Sequence, residues 1–303
     1  MLNRDALLSA YFQRIGLVFD NQQPSLETLQ SVQRAQVFAV PFENLDHHSS
    51  EQQPTCDELV SFGLNADSNM SVFPQVVFDK IVTRRRGGVC YEQNIVLGAM
   101  LGLLGFTVAF LKARVNGSPR GAPVAFNVAT ATHIVILVTI GDERFYVDAG
   151  MGPSALILLP CVDGVYEERV GEHVRRFWRV SSIDVAELGL VGEPAISYRE
   201  PNADGWYVRT VIEPTPWRQG EWAIAHAYIL SDPASWFRKT LIAIRQSDAH
   251  TFVLQNFDLV ETEVRSGKSV KRVIDFETLP QVLREEFLLE PPSGMHMPLP
   301  LPE

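Results

Sequence analysis

The sequence predicts an α+β fold, and three observations carry that expectation. Apolar residues recur at helical spacing through roughly the first hundred positions. Beyond Gly105 the pattern changes to runs of β-branched and aromatic residues separated by turn signals. Helices and strands are segregated along the chain, which argues against alternating βαβ units.

The elements follow in order. Asn3 is placed to cap a first helix, Asp5 sits in its first turn, and Gly16 suits its stop. Leu8, Tyr11, Phe12 and Ile15 line one face of it. Pro24-Ser25 opens a second helix with Leu26, Leu29 and Val32 on one side, and Pro41 ends the apolar stretch that follows. Residues 47 to 74 are polar and aperiodic, and read as an exposed loop or insertion with one short helix around Asp57 to Phe62. Val77, Phe78, Ile81 and Val82 give a third helix that stops before Gly87-Gly88.

The uncharged stretch from Ile95 to Leu111 invites a membrane reading. It falls just short of the ~18 apolar residues that suggest a span. Gly105 sits where a helix would end, and Phe106 to Phe110 alternates like a strand, so the stretch reads as a buried helix running into a buried strand. A Gly/Pro/Ser loop occupies 117–125. His133 to Ile140 is a strand, Gly141-Asp142 a turn, and Arg144 to Val147 the returning strand. Further strands are expected near 156–159, 174–180, 206–213, 251–255, 257–264 and 270–274. A helix is expected over 233–238 and another after Thr278-Leu279-Pro280. The Pro-rich tail from Pro291 reads as flexible.

Composition bounds the function. The 303 residues suffice for two or three packed subdomains, and 46% hydrophobic with 20% charged residues is ordinary globular usage. A formal net charge of −10 repels phosphates, and the densest basic run is Arg84-Arg85-Arg86, so nucleic acid is not an expected partner. An anionic ligand would need a local basic or backbone N–H site. Three cysteines, Cys56, Cys90 and Cys161, lack paired spacing, which argues against a disulfide framework and against a zinc or other metal site. The first residues lack the pattern of a signal peptide, so a cytoplasmic location without membrane attachment is expected.

The chemistry concentrates in two places. In Arg86-Gly87-Gly88-Val89-Cys90-Tyr91-Glu92-Gln93-Asn94 the glycines permit a sharp turn, and Cys90 then opens a long apolar helix. The N-terminal N–H groups and dipole of that helix favour a thiolate and can hold an oxyanion. A buried, inert thiol is the alternative. In the hairpin, a two-residue turn at Gly141-Asp142 pairs Ile140 with Glu143 and sets Val135 opposite Asp148. His133 and Asp148 are then diagonal neighbours, roughly 7–8 Å apart at the backbone and within side-chain reach. Such a carboxylate fixes the imidazole tautomer and frees its other nitrogen to take a proton from Cys90. A three-residue loop would reverse the parity and separate them.

Taken together, Arg86-Gly87-Gly88-Val89-Cys90 with Glu92 and Asn94, then Thr132-His133, then Asp148-Ala149-Gly150-Met151-Gly152, resemble the arylamine N-acetyltransferases. Tyr11 to Gly16, Pro41-Phe42-Glu43-Asn44-Leu45-Asp46, Asp79 to Val82 and Ser231 to Phe237 are also similar to family segments. The likeness runs over roughly residues 8 to 265. It implies an N-terminal helical bundle (1–104), a central β-barrel (105–208) and a C-terminal α/β lid with a Pro-rich tail (209–303). It implies a Cys-His-Asp site similar to those of cysteine proteases and transglutaminases. Cys90 would be nucleophile, His133 base and acid, and Asp148 the orienting carboxylate. Glu92 and Asn94 are read as structural. Phe42 and Met151 match acceptor-pocket positions, and Thr132, Met151 and Gly152 match positions near coenzyme A. The implied substrates are acetyl-coenzyme A, or a propionyl or malonyl analogue, and an arylamine or arylhydrazine, with no permanently bound cofactor. The 47–74 insertion is longer than in compact bacterial members and more familiar in eukaryotic relatives, fungal ones among them. An amide synthase, a thiol hydrolase and a non-enzymatic binding module stay open as alternatives. Acceptance of free coenzyme A thioesters and the reactivity of Cys90 separate them.

Overall fold

A computed structural model describes residues 3–50, 75–118, 122, 124–126, 131–217, 221, 225–226, 228–229 and 235–296. The chain opens with helix α1, Arg4–Ile15, whose Ala6 N–H is taken by the Asn3 side chain at 2.8 Å and whose end is closed by Gly16 at φ 77°. Helix α2, Leu26–Ala39, is capped by the Ser25 hydroxyl, which accepts from the Thr28 N–H at 3.0 Å. A short helix α3, Gln75–Phe78, runs into a π-helical turn over Asp79–Thr83. Helix α4, Cys90–Leu104, stops at Gly105, φ 102°.

Helix α4 is apolar nearly all round because it is buried nearly all round. Leu8, Phe12, Leu29, Phe78, Leu97 and Met100 pack about it in one core. This resolves the long uncharged stretch: α4 ends at Leu104 and strand β2, Thr107–Val115, follows. Among the described residues no helix is long and apolar enough to cross a membrane.

The larger sheet has eight antiparallel strands. After β2 come β3 (His133–Ile140), β4 (Glu143–Val147), β5 (Leu159–Pro160), β6 (Gly164–Val170), β7 (His173–Val185), β8 (Leu190–Arg199) and β9 (Tyr207–Pro216). The spatial order is β5-β4-β3-β2-β9-β8-β7-β6. The sheet curls into a nearly closed barrel, because Leu111, Val135, Tyr146, Leu159, Trp178, Ile196 and Ile212 from seven of the strands meet in one core. A second antiparallel sheet joins β1 (Phe42–Glu43) to β10 (Ile242–Gln246), β11 (His250–Gln255), β12 (Asp258–Glu263) and β13 (Ser269–Val273). Helix α5, Trp236–Lys239, precedes it and helix α6, Leu279–Phe287, packs Leu279, Leu283 and Phe287 on it.

Several details differ from the sequence expectations. The strand near 156–159 shrinks to β5, and β1, β6, β8 and β10 were not anticipated. The boundary drawn at 208/209 falls inside β9. The tail expected to be flexible is hydrogen-bonded as far as His296, whose N–H donates to the His48 carbonyl at 2.8 Å, while the Ser50 N–H donates to Gly294 at 3.1 Å. The short helix expected at 57–62 lies outside the described residues, as does part of the 233–238 segment.

Candidate active site

Cys90 is the first residue of α4, preceded by Val89 in extended conformation. The turn that delivers it needs its glycines: a Cβ on Gly87 would lie 2.2 Å from the Pro41 carbonyl oxygen. The start of the helix is held by Glu92, whose carboxylate accepts the Val89 N–H at 2.9 Å. Glu92 in turn belongs to a buried ion network. Lys80 Nζ lies 2.9 Å from Glu92 and 2.7 Å from Asp46, and Arg86 lies 2.7 Å from Asp46 and 3.2 Å from Glu43. Burial opposes ionisation of Asp46, but the Lys80 and Arg86 charges win and hold its carboxyl well below the usual range. Burial likewise opposes the Lys80 charge, yet its carboxylate neighbours Glu92 and Asp46 hold the ammonium above its ordinary value. Arg14, from α1, donates to the carbonyls of Ile81, Ala39 and Arg86 at 2.8, 2.6 and 3.2 Å, tying the same turn to the helical bundle.

His133 is the first residue of β3 and is 1% exposed. The observed register pairs Ile140 with Glu143 and Ile136 with Val147, the parity a two-residue turn requires. His133 Nε2 and Asp148 Oδ2 are 2.7 Å apart. The other carboxylate oxygen accepts from Asn94 Nδ2 and from the Gly150 N–H, each at 2.9 Å. Asn94 also donates to the Ile134 carbonyl at 2.7 Å and accepts the Ala149 N–H at 2.9 Å. It thus fastens the carboxylate to the helix that carries Cys90. The sequence held the signal, since Asn94 stands four residues after Cys90 and shares its helix face.

Cys90 Sγ lies 3.8 Å from the Thr132 carbonyl oxygen, and Cys90 is close enough to the His133 ring to act on its ionisation. With Nε2 on Asp148, Nδ1 is the ring atom left for the sulfur. Burial lowers the His133 pKa, but Asp148 and Cys90 outweigh it and raise it to about 10. Asp148 is opposed by burial and held below the usual carboxylate range by His133, Asn94 and the Gly150 N–H. A protonated imidazole facing a helix-terminal thiol is the arrangement that stabilises a thiolate.

The loop after Asp148 packs against Cys90. A Cβ on Gly150 would lie 2.6 Å from Cys90 Cα, so only glycine fits. Met151 is half-buried; its N–H donates to Ser154 Oγ at 3.1 Å and its carbonyl accepts from Arg209. Gly152 adopts φ 73°, and its carbonyl accepts from Gln246 Nε2 at 3.2 Å. Of the three, Thr132 borders Cys90 through its carbonyl, while Met151 and Gly152 follow Gly150, the residue that packs on the Cys90 backbone. Phe42 packs in one apolar cluster with Cys90, Tyr91, Ile95, Trp217 and Phe237, its ring 6.2 Å from that of Phe237. Arg209, Gln246 and Trp217 were not singled out from the sequence. They arrive from β9, β10 and the β9 end, contacts that no local pattern announces.

Comparison with known proteins agrees with this geometry. Residues 25–292 match a family model described as N-acetyltransferase. Arylamine N-acetyltransferase 2 of Homo sapiens is 34% identical, the match covering 93% of this chain and 91% of that protein. Arylamine N-acetyltransferase 1 of Bos taurus is 27% identical, with 93% and 91% covered. The solved structure of the M. tuberculosis arylamine N-acetyltransferase superposes with a TM-score of 0.73 at 26% identity, covering 92% of this chain and 93% of that one.

Proposed function

The chain belongs to the arylamine N-acetyltransferase family, and on that premise we propose that it moves an acetyl group from coenzyme A to an arylamine or arylhydrazine through an acyl-cysteine at Cys90. It is an acyltransferase, and the observation that carries the mechanism is the fastening of Asp148 by both His133 and Asn94 beside the helix-terminal Cys90. In the first half-reaction the Cys90 thiolate attacks the thioester carbon. A new C–S bond forms, the negative charge moves to oxygen near the N–H groups opening α4, and the bond to the coenzyme A sulfur breaks. The proton held on His133 goes to the departing thiolate. In the second, the amine nitrogen attacks the acyl-cysteine carbon, His133 takes the amine proton, and the bond to Sγ breaks to return the thiolate–imidazolium pair. Asp148 stays ionised throughout and holds the ring in one tautomer.

Thr132, Met151 and Gly152 are assigned to the coenzyme A side and Phe42 and Met151 to the acceptor side. The support is the Thr132 carbonyl 3.8 Å from Cys90 Sγ, the packing of Gly150, which precedes Met151, on the Cys90 backbone, and the Phe42–Phe237 pair in the Cys90 cluster, an apolar wall for an aromatic amine. Propionyl and malonyl thioesters are further candidate donors. A cytoplasmic location is part of this proposal, since a reducing compartment protects a free nucleophilic thiol from oxidation, and Cys90 is free.

The test is intact-protein mass measurement after incubation with acetyl-, propionyl- or malonyl-coenzyme A, beside Cys90→Ala. One acyl group is expected to add to the native protein, to be absent in the variant, and to be discharged by an arylamine. Absence of both adduct and released thiol with every donor overturns the reading.

A further inference from the structure

Gln246, the last residue of β10, ties the barrel to the loop that packs on Cys90. Its Nε2 donates to the Gly152 carbonyl at 3.2 Å, and its Oε1 accepts from Arg175 Nη2 at 2.7 Å. Arg175 comes from β7, and the same Nη2 also donates to Thr251 Oγ1 at 3.2 Å. Arg175 is itself fixed, with its Nε 3.3 Å from Glu168 Oε1. The other Glu168 oxygen accepts from Trp178 Nε1 at 2.9 Å and from the Leu156 N–H at 2.7 Å. Glu168 is fully buried, Arg175 is 7% exposed and Gln246 2%, so water competes little for these bonds.

The Gln246 amide has one orientation. A guanidinium only donates and a carbonyl only accepts, so Oε1 faces Arg175 and Nε2 faces Gly152. Ile244, two residues earlier on the same face of β10, meets the same loop: a Cβ on Gly152 would lie 2.9 Å from Ile244 Cδ1. The loop is therefore held between two surfaces. At Gly152 it meets β10. At Gly150 it meets the nucleophile, since a Cβ there would lie 2.6 Å from Cys90 Cα, and the Gly150 N–H donates to Asp148 Oδ1 at 2.9 Å. Two planar peptide units join these ends, so a displacement at Gly152 is carried to the Gly150 N–H.

We propose that Gln246 is a positioning residue of the acyl-transfer site. It fixes the 150–152 loop from the second sheet, and with it the N–H that orients Asp148. It acts through Gly150 on Asp148 and through Asp148 on His133. The inference rests on the reading of Cys90, His133 and Asp148 as the reacting group and adds a residue that sets their geometry.

The experiment follows alkylation of Cys90 by iodoacetamide against pH, read by the mass of its peptide, in the native protein, Gln246→Met and Thr251→Val. Gln246→Met removes the bond to Gly152. Thr251→Val removes only the second Arg175 contact and leaves the loop bond in place. A loosened Asp148 supports the imidazolium less, and the imidazolium then supports the thiolate less. The acid limb of the profile is therefore expected to move up by about 0.3 to 1 pH unit in Gln246→Met, the range of one neutral hydrogen bond. At pH 7, kcat/KM for acetyl-coenzyme A should fall about 2- to 10-fold with it. Thr251→Val should leave both at their native values. An unmoved limb in Gln246→Met, whatever its melting temperature, overturns the proposal, as does an equal shift in Thr251→Val. If Gln246→Met does not fold, Gln246→Glu replaces it with the same expectation, because it keeps the Arg175 pair and sets an oxygen against the Gly152 carbonyl. Alkylation needs no acyl donor, so failure of the acyl-transfer reading looks different: no acyl-cysteine at Cys90 with any donor.

Discussion

Two groups of buried charges flank Cys90, and they are built on opposite plans. Beneath the start of α4, the carboxylates Glu43, Asp46 and Glu92 each pair with Lys80 or Arg86 in one network. On the other side a single carboxylate, Asp148, is shared between an imidazole and a neutral amide. The first group fixes position: it joins the segment after Pro41, the π-helical turn, the glycine turn and α4. The second holds a proton that can leave. Burial is similar in both, so burial alone does not separate them; the difference is whether one partner is an imidazole, which has a proton to exchange and a neighbouring thiol to exchange it with.

The largest expected effect breaks the second group. Asp148→Asn should lower kcat on the order of 10³–10⁴-fold, as loss of the orienting carboxylate does in such triads, with the fold retained by circular dichroism. The same variant tests the pH dependence of stability. His133 has a folded-state pKa raised to about 10 against an unfolded value of about 6.5. Its contribution is complete below the unfolded value and is lost as pH rises through the folded one. The native protein should therefore lose stability between about pH 6.5 and 10, and Asp148→Asn should lose much less over that window. Asp46, held low, makes its contribution above the usual carboxylate range and loses it in acid. Denaturant titrations at pH 4, 7 and 9.5 separate the two groups.

Breaking the first group should show the reverse pattern. Lys80→Met leaves Asp46 and Glu92 facing each other in a buried site. A loss of about 3–5 kcal/mol is expected, measured by denaturant unfolding, while kcat per folded molecule changes far less than in Asp148→Asn. A folded, stable but inactive Lys80→Met would show that the network takes part in catalysis.

Much of this was legible in the sequence, for reasons that differ by element. The α1 and α2 boundaries were readable because Asn3, Gly16 and Ser25 perform local chemistry at the ends. The His133–Asp148 pair was readable because a two-residue turn fixes strand parity. Strand β6 was missed because its run of Glu167, Glu168 and Arg169 hides the alternation, and β8 because Gly192 and Pro194 read as breaks. Strand β10 is short and gains its identity from pairing with β1, some two hundred residues earlier. The Arg209 and Gln246 contacts with the loop after Asp148 are set by how two sheets meet, which no window of sequence contains.

Asn94 joins the two plans, and its removal gives the smallest and most discriminating effect. It sits on α4, one turn beyond Cys90, and donates to the Asp148 oxygen that His133 does not use. Asn94→Ala removes that donor and leaves the Ala149 N–H without its acceptor. A hydrogen bond to a charged group contributes about 1.5–3 kcal/mol, so kcat should fall roughly 10- to 100-fold. The carboxylate freed on one side should also turn more loosely, weakening its hold on His133 and drawing the alkaline limb of the pH–rate profile downward. A purely structural amide would lower stability and leave that limb in place. Movement of the limb, over and above the stability lost with the Ala149 and Ile134 bonds, is the result that puts Asn94 with the proton-handling group as well as with the framework.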